Sequence, residues 1–262
     1  MMPIVFDENK ELNKRCKKGE EFLQQGKIEE GLSEFKKALK IKKDFIRAQY
    51  GIARCYYKAW LSAQRAMDEE QKQKGVTFLK MDAISDLFNL TKRAIDEYEI
   101  LLQKQPDLAD AHAELADLLE SLGKKRKAVE HWHTALQLNP SCPLANLCLG
   151  RSDKHQGNFE AAIAKFKAGL NKDPSDYRLH FELGDALFKS GKKAESISHF
   201  QKAVSLKSDY TDALFNLGTA YLDLGNRSEA VSTFKKFLKV EPIGVRIRDG
   251  DSNFVPLILF KL

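Results

Sequence analysis

Six histidines and four cysteines have the strongest claim to chemistry in this 262-residue chain, and their spacing removes most of it. A protein zinc site needs several nitrogen, sulfur or carboxylate ligands within about 2.0–2.3 Å of one ion. His131 and His133 flank Trp132; two positions apart on a helix, they point about 200° away from each other. His112 and His180 stand two periods of the repeat described below apart, which is about 20 Å along a stack of helix pairs. His155 and His199 have no partner at a useful spacing. Cys16, Cys55, Cys142 and Cys148 form no C-x-x-C pair, and the first two and the last fall in predicted helices, where a thiol behaves as a small hydrophobe. There is no G-x-S-x-G, no phosphate loop and no dinucleotide fingerprint. Carboxylates are abundant, but none pair in a predicted pocket. The reading is of a chain with no catalytic residue, no metal ligand and no cofactor.

What does recur at a fixed interval is apolar. Leu149-Gly150 returns as Leu183-Gly184 and again as Leu217-Gly218. Phe166, Phe200 and Phe234 keep the same step, and so do Ala162, Ser196 and Ala230. Pro174, Ser208 and Pro242 close the units. Such a period is read before anything else, because it decides the architecture. Between Asp176 and Ser190 the apolar positions are Leu179, Phe181, Leu183, Ala186, Leu187 and Phe188, and Gly191 ends the helix. From Ala194 to Leu206 a second stripe runs through Ile197, Phe200, Ala203 and Val204 at helical spacing. Small residues at Gly184 and Ala203 let two antiparallel helices approach closely. One such pair leaves too much apolar surface exposed, so stability requires stacking on a neighbour.

These residues resemble the tetratricopeptide repeat, in which a Leu-Gly/Ala pair and an aromatic on the first helix precede Ala, Phe/Tyr, Ala and Pro on the second. The match is fullest at Leu217, Gly218, Tyr221, Ala230, Phe234 and Pro242, with Phe237 where Ala is usual; Leu115, Ala116, Leu119, Ala128, Trp132, Ala135 and Pro140 make an earlier unit, and Gly19, Phe22, Gly31, Phe35 and Ala38 the first. The resemblance implies an all-α, right-handed superhelical solenoid of helix pairs across residues 12–242, with units at 12–45, 46–108, 109–142, 143–176, 177–210 and 211–242. Residues 1–11 read as an arm. Residues 243–262 alternate around Asp249-Gly250-Asp251 and read as a short β-hairpin tail, either folded over the last repeat or belonging to a further domain.

Unit 46–108 is nearly twice as long as any other. Tyr56, Trp60, Ala63 and Met67 prolong its first apolar stripe, and Leu79, Ile84, Leu87 and Phe88 lead into its second. Both helices are therefore expected to lengthen by about two heptads into an antiparallel finger, roughly 20 Å long at 1.5 Å per residue. The alternative is a loop across about 66–78. Trp60, Leu79, Leu87 and Phe88 would give the finger a docking or dimerisation surface, or merely hold its two helices together.

The resemblance also implies a concave channel lined by first-helix residues. By phase these are Asp110, Ala113 and Asp117; Leu144, Leu147 and Arg151; Arg178, Phe181 and Asp185; Asp212, Phe215 and Thr219. A lining of mixed charge with two phenylalanines suits an extended or helical peptide, unless Phe181 and Phe215 pack against the next repeat. The carboxylate clamp of chaperone-binding relatives is not reproduced: the matching places hold Cys16 and Glu20, or Ala113 and Asp117, and an acid repels a carboxylate.

Between Lys10 and Lys43 stand eleven Lys/Arg against six Glu, most of the net charge of +6. Such a surface could meet nucleic acid or anionic lipid; interleaved glutamates and the lack of clustered aromatics favour a solvated end cap instead. No run of about 18 apolar residues suggests a membrane span, and the first residues do not read as a signal peptide, so a cytosolic setting is expected. The function expected is a scaffold that holds a protein or peptide partner, or a recruiting module of a larger enzyme or secretion assembly.

Overall fold

In the computed structural model, residues 8–74 and 81–240 are described. They form twelve α-helices and, among the described residues, no strand. The helices fall into two compact units, Met1–Asn139 and Pro140–Leu262. The first contains α1 (Glu8–Gln24), α2 (Ile28–Ile41), α3 (Ile46–Lys74), α4 (Met81–Lys104), α5 (Ala109–Ser121) and α6 (Lys125–Leu138). The second contains α7 (Pro143–His155), α8 (Phe159–Lys172), α9 (Tyr177–Lys189), α10 (Lys193–Leu206), α11 (Thr211–Asp223) and α12 (Arg227–Val240). In each unit every helix packs on the next, and successive first helices also touch, α1 on α3 on α5 and α7 on α9 on α11. That is the pairing the repeat period predicts. α1 begins at Glu8, inside the stretch expected to be an arm. The tail at 243–262 lies outside the described residues.

Four of the six pairs, α1–α2, α7–α8, α9–α10 and α11–α12, close on the same contact. The phenylalanine of the second helix lies over a glycine of the first: Phe166 on Gly150, Phe200 on Gly184, Phe234 on Gly218, and Phe35 wedged between Gly19 and Gly51. A β-carbon built on Gly218 would come within 2.6 Å of the Phe234 ring, so the glycine is required by the ring rather than by the backbone. The glycines that do need their backbone freedom are Gly26, Gly123, Gly157, Gly191 and Gly225, which turn first helix into second with φ between 72° and 86°. Behind Gly191, Lys192 N–H donates to Leu187 C=O and Gly191 N–H to Phe188 C=O, satisfying carbonyls that the helix end would otherwise leave open.

A second recurring device joins consecutive repeats. Near the start of a first helix, a polar side chain reaches back to a carbonyl of the preceding turn: Gln49 Nε2 to Lys43 O, His112 Nε2 to Pro106 O, Asn146 Nδ2 to Pro140 O and His180 Nε2 to Pro174 O, at 2.8–3.2 Å. All but Gln49 are separated by whole repeats. In the last repeat the place belongs to Leu214, which is buried.

The expanded pair is helical up to Lys74 and again from Met81. With 29 and 24 residues, α3 and α4 exceed the 13 and 14 of a regular pair such as α5 and α6, so α3 runs about 24 Å further at 1.5 Å per residue. The loop alternative, starting at 66, does not hold for 66–74.

Candidate functional site

In the second unit, α7, α9 and α11 carry the predicted lining. Arg178, Phe181 and Asp185 lie one helical turn apart on α9, as do Asp212, Phe215 and Thr219 on α11. Only part of this set faces outward. Leu147 is 1% exposed and belongs to the core with Phe166, Leu179 and Leu183. Ala113, in the first unit, is likewise 1% exposed. Both are packing residues and offer a partner no surface.

Charge in the second unit is spent chiefly on joining repeats. Arg151 Nε donates to Glu182 Oε1 at 2.6 Å, while Lys154 Nζ reaches Glu182 and Asp185 at 2.5 Å each. Lys154 and Glu182 have side chains only 9% and 6% exposed. Burial opposes the Lys154 charge, but the two carboxylates outweigh it and its pKa rises. Arg178 turns onto Asp176, which caps α9 by accepting from Arg178 N–H and Leu179 N–H. Burial works against the Asp176 charge, but these donors hold its carboxyl below the usual range.

The two phenylalanines do both things that sequence left open. Phe181 lies 4.9 Å from the Tyr210 ring and 6.0 Å from Phe200. Phe215 lies 6.0 Å from Phe234 and 5.8 Å from Phe237. Each is packed along one side and each stays half-buried, so part of the ring remains open. Thr219 returns its hydroxyl proton to Phe215 C=O.

In the first unit the same phase falls on residues that sequence reasoning passed over. Glu114 of α5 accepts from Tyr98 Oη at 2.8 Å and Tyr50 Oη at 3.2 Å, with Arg54 Nε 3.5 Å from its other oxygen. Burial raises the Glu114 pKa against these partners. Tyr57 Oη donates to Asp117 at 2.6 Å, and Asp110 adds negative charge beside Arg54. The expansion of unit 46–108 obscures the repeat before residue 109, so the lining expected by phase begins there. Ile52-Ala53, which hold the Leu-Gly place, were signal enough to carry the phase to Tyr50 and Arg54.

On the finger, Trp60 is 3% exposed and stacks on Tyr57 at 5.5 Å, so it is core and not contact surface. Leu87 is half-buried, and Phe88 is 55% exposed with Ile84 beside it at 46%. Leu79 lies outside the described residues. The basic first repeat is partly neutralised by its own Glu34, on which Arg15, Lys18 and Lys37 converge. Burial works against the Glu34 charge, but those cations take its pKa to about 2.

The histidines need one correction. His199 does have a partner: its Nδ1 lies 3.2 Å from His180 Nδ1, and His131 Nδ1 lies 2.8 Å from His112 Nδ1. The spacing within each pair is invisible to a search for metal motifs, but it joins a first helix to its own second helix. No three His, Cys, Asp or Glu among the described residues are grouped to hold a metal. Burial pushes the Cys16 thiol up to about 11 and Cys55 to about 12, which keeps both protonated and unreactive at neutral pH. No helix among the described residues is long and apolar enough to cross a membrane.

Comparison with known proteins follows the same boundaries. Models of the tetratricopeptide repeat match residues 15–45, 109–142, 149–211 and 212–242, together more than half of the chain. No curated protein matches by sequence. Among solved structures, one described as a functional characterization of Pseudomonas aeruginosa PilF is similar over 90% of this chain and 94% of its own, with 16% identity and a TM-score of 0.66. A crystal structure of MamA is similar over 63% of this chain and 96% of its own, with 22% identity and a TM-score of 0.50. At such identities the likeness concerns the fold. Four repeat matches, together with three successive helix pairs that close phenylalanine on glycine at a constant step, place this chain in the tetratricopeptide repeat family.

Proposed function

We propose that this chain is a non-catalytic scaffold, and that α9 and α11 of its second unit hold a peptide or protein segment across Phe181 and Phe215. The carrying observation is that both rings are fixed from behind by aromatic neighbours at 4.9–6.0 Å yet remain half-open. An aromatic held in place loses little freedom when a partner covers it, which is the property of an interface anchor. Arg151, with a side chain 42% exposed, together with Asp212 and Thr219, supplies polar edges to orient the occupant. Arg178 and Asp185 contribute through their ion pairs, as supports. In the first unit Asp110 and Asp117 are the matching positions.

Exposed Phe88 and Ile84 support a second contact on the finger. It would serve a partner protein or another copy of the chain.

The test is selection of binding peptides from a displayed random library, followed by titration against Phe181→Ala/Phe215→Ala. We expect affinity to fall at least about tenfold with the helical circular-dichroism signal retained. Peptides that bind both forms equally would remove the reading.

A further inference from the structure

The two histidine pairs form one arrangement that occurs twice. His112 and His180 occupy the same place on the first helices of their repeats, and His131 and His199 the same place on the second helices. In each pair the first-helix ring is fixed by its Nε2 contact with a proline carbonyl, 2.9 Å to Pro106 and 3.0 Å to Pro174. A carbonyl only accepts, so that Nε2 carries a hydrogen, and the neutral ring presents a lone pair at Nδ1. That lone pair faces Nδ1 of His131 or His199, which must therefore carry its own hydrogen and donate it.

Ring placement shows what fits between the nitrogens. The centroids stand 5.1 Å apart in α5–α6 and 5.5 Å apart in α9–α10. Each value is close to the nitrogen separation plus a ring radius at either end, so the two Nδ1 atoms meet head on. A metal ion bound head on, at about 2.0–2.1 Å from each nitrogen, would need about 4 Å between them. The gap holds one hydrogen.

Proton capacity follows. A first added proton, taken from solvent, goes to Nε2 of His131 or His199; the Nδ1–H···Nδ1 bond survives and gains charge assistance. A second must go to Nδ1 of His112 or His180, where it faces the hydrogen already there. The folded pair then holds two cations and two opposed N–H groups, and one ring has to leave its place. The unfolded chain accepts both protons near the ordinary histidine pKa of about 6.5.

We propose that these pairs are proton-limited latches: each admits one added proton and opens on the second, so mild acid loosens α5–α6 and α9–α10 where they join the preceding turn. The surroundings agree. Burial lowers the pKa of His131, charge on the facing His112 and on Lys127 adds to this, and Glu130 opposes it; among the described residues none of the groups that shift it comes from α3 or α4. His199 is lowered by burial and by charge on His180 and on Lys167 of α8, against Glu195, with none among the described residues from α7 or α11. Because these folded values lie below the unfolded ones, the unfolded chain binds more protons as pH falls through the histidine range, and stability falls with it.

The chain contains its own control. Asn146 holds the same place between the two latches, donates to Pro140 C=O at 2.8 Å and does not titrate; where the second histidine would stand is Lys165, which pairs with Asp153 instead. His112→Asn with His180→Asn should therefore keep the hook to the turn and lose the latch.

Nitrogen-15 NMR of histidine-labelled full-length chain, from pH 8 to 5, reads the protons directly. At pH 8 His112 and His180 should be Nε2–H tautomers, and His131 and His199 Nδ1–H tautomers. Only one ring of each pair should charge before the amides of α5–α6 and α9–α10 lose exchange protection. Below about pH 6 the opening equilibrium should rise about tenfold per pH unit for each latch, and the double variant should flatten that slope. Four independent titrations near the ordinary histidine value would overturn the proposal, as would the opposite tautomers. An unchanged slope in a folded double variant would do the same, and should that variant not fold, the wild-type tautomers and titrations decide alone.

Discussion

The two units solve the same problem at the same register with different chemistry. An arginine in the third turn of one first helix meets a glutamate in the second turn of the next: Arg54 with Glu114 in the first unit, Arg151 with Glu182 in the second. In the second unit the glutamate receives two cations directly, at 2.5 and 2.6 Å, and Lys154 is drawn into the interface with it. In the first, Arg54 stays 3.5 Å away and two tyrosine hydroxyls approach instead. Neutral donors stabilise a buried carboxylate less than cations do. The pKa of Glu114 accordingly rises, and that of Lys154 rises because its pairing outweighs its burial. The lesson is that position in a repeat fixes where a carboxylate stands, while its neighbours decide whether it wants its charge.

The largest test of that contrast is Glu182→Ala. It leaves Lys154 buried beside one remaining acid, and urea unfolding of the second unit should show a loss of about 3–5 kcal/mol. Glu114→Ala removes a partner only from two tyrosines and a half-exposed arginine, and should cost about 1–3 kcal/mol. Equal losses would break the comparison. Tyr98→Phe deletes one hydroxyl and should cost about 0.5–1.5 kcal/mol, measured the same way.

Smallest and most pointed is the response to pH. Since Glu114 has its folded pKa above the unfolded one, the folded first unit binds the extra proton, and stability contributed there is lost as pH rises from about 4.3 through the raised value. Glu114→Gln should erase that decline in hydrogen-exchange protection of α3, α4 and α5. Lys154 has the other sign of consequence: its contribution is full below the unfolded lysine pKa of about 10.4 and disappears only above it, as pH passes the raised folded value. A decline near neutral pH that Glu182→Gln abolished would reverse the assignment.

Sequence carried the architecture far because the repeat is written in large side chains at fixed steps. Phe200 on Gly184 is legible as soon as both are seen to move by one period, and the length of 46–108 announced longer helices. The site was less legible for a physical reason. Phase locates a residue on a helix, but whether it is covered depends on the size of its neighbours, so Ala113 and Leu147 shared a phase with open residues while belonging to the core. The histidine pairs were missed because their geometry needs the closed hairpin: their separation along the chain means nothing until two helices bring the rings together.

The finger has a last implication. Its extra turns lie at the end of α3 and the start of α4, whereas the side chains that bond to neighbouring repeats, from Arg47 to Lys58 and from Tyr98 to Lys104, sit at the opposite ends of the two helices. Growth at that point moves neither flank out of step. A lineage could therefore stretch, trim or redecorate this arm by editing a single connection, leaving the ladder of repeats on either side undisturbed.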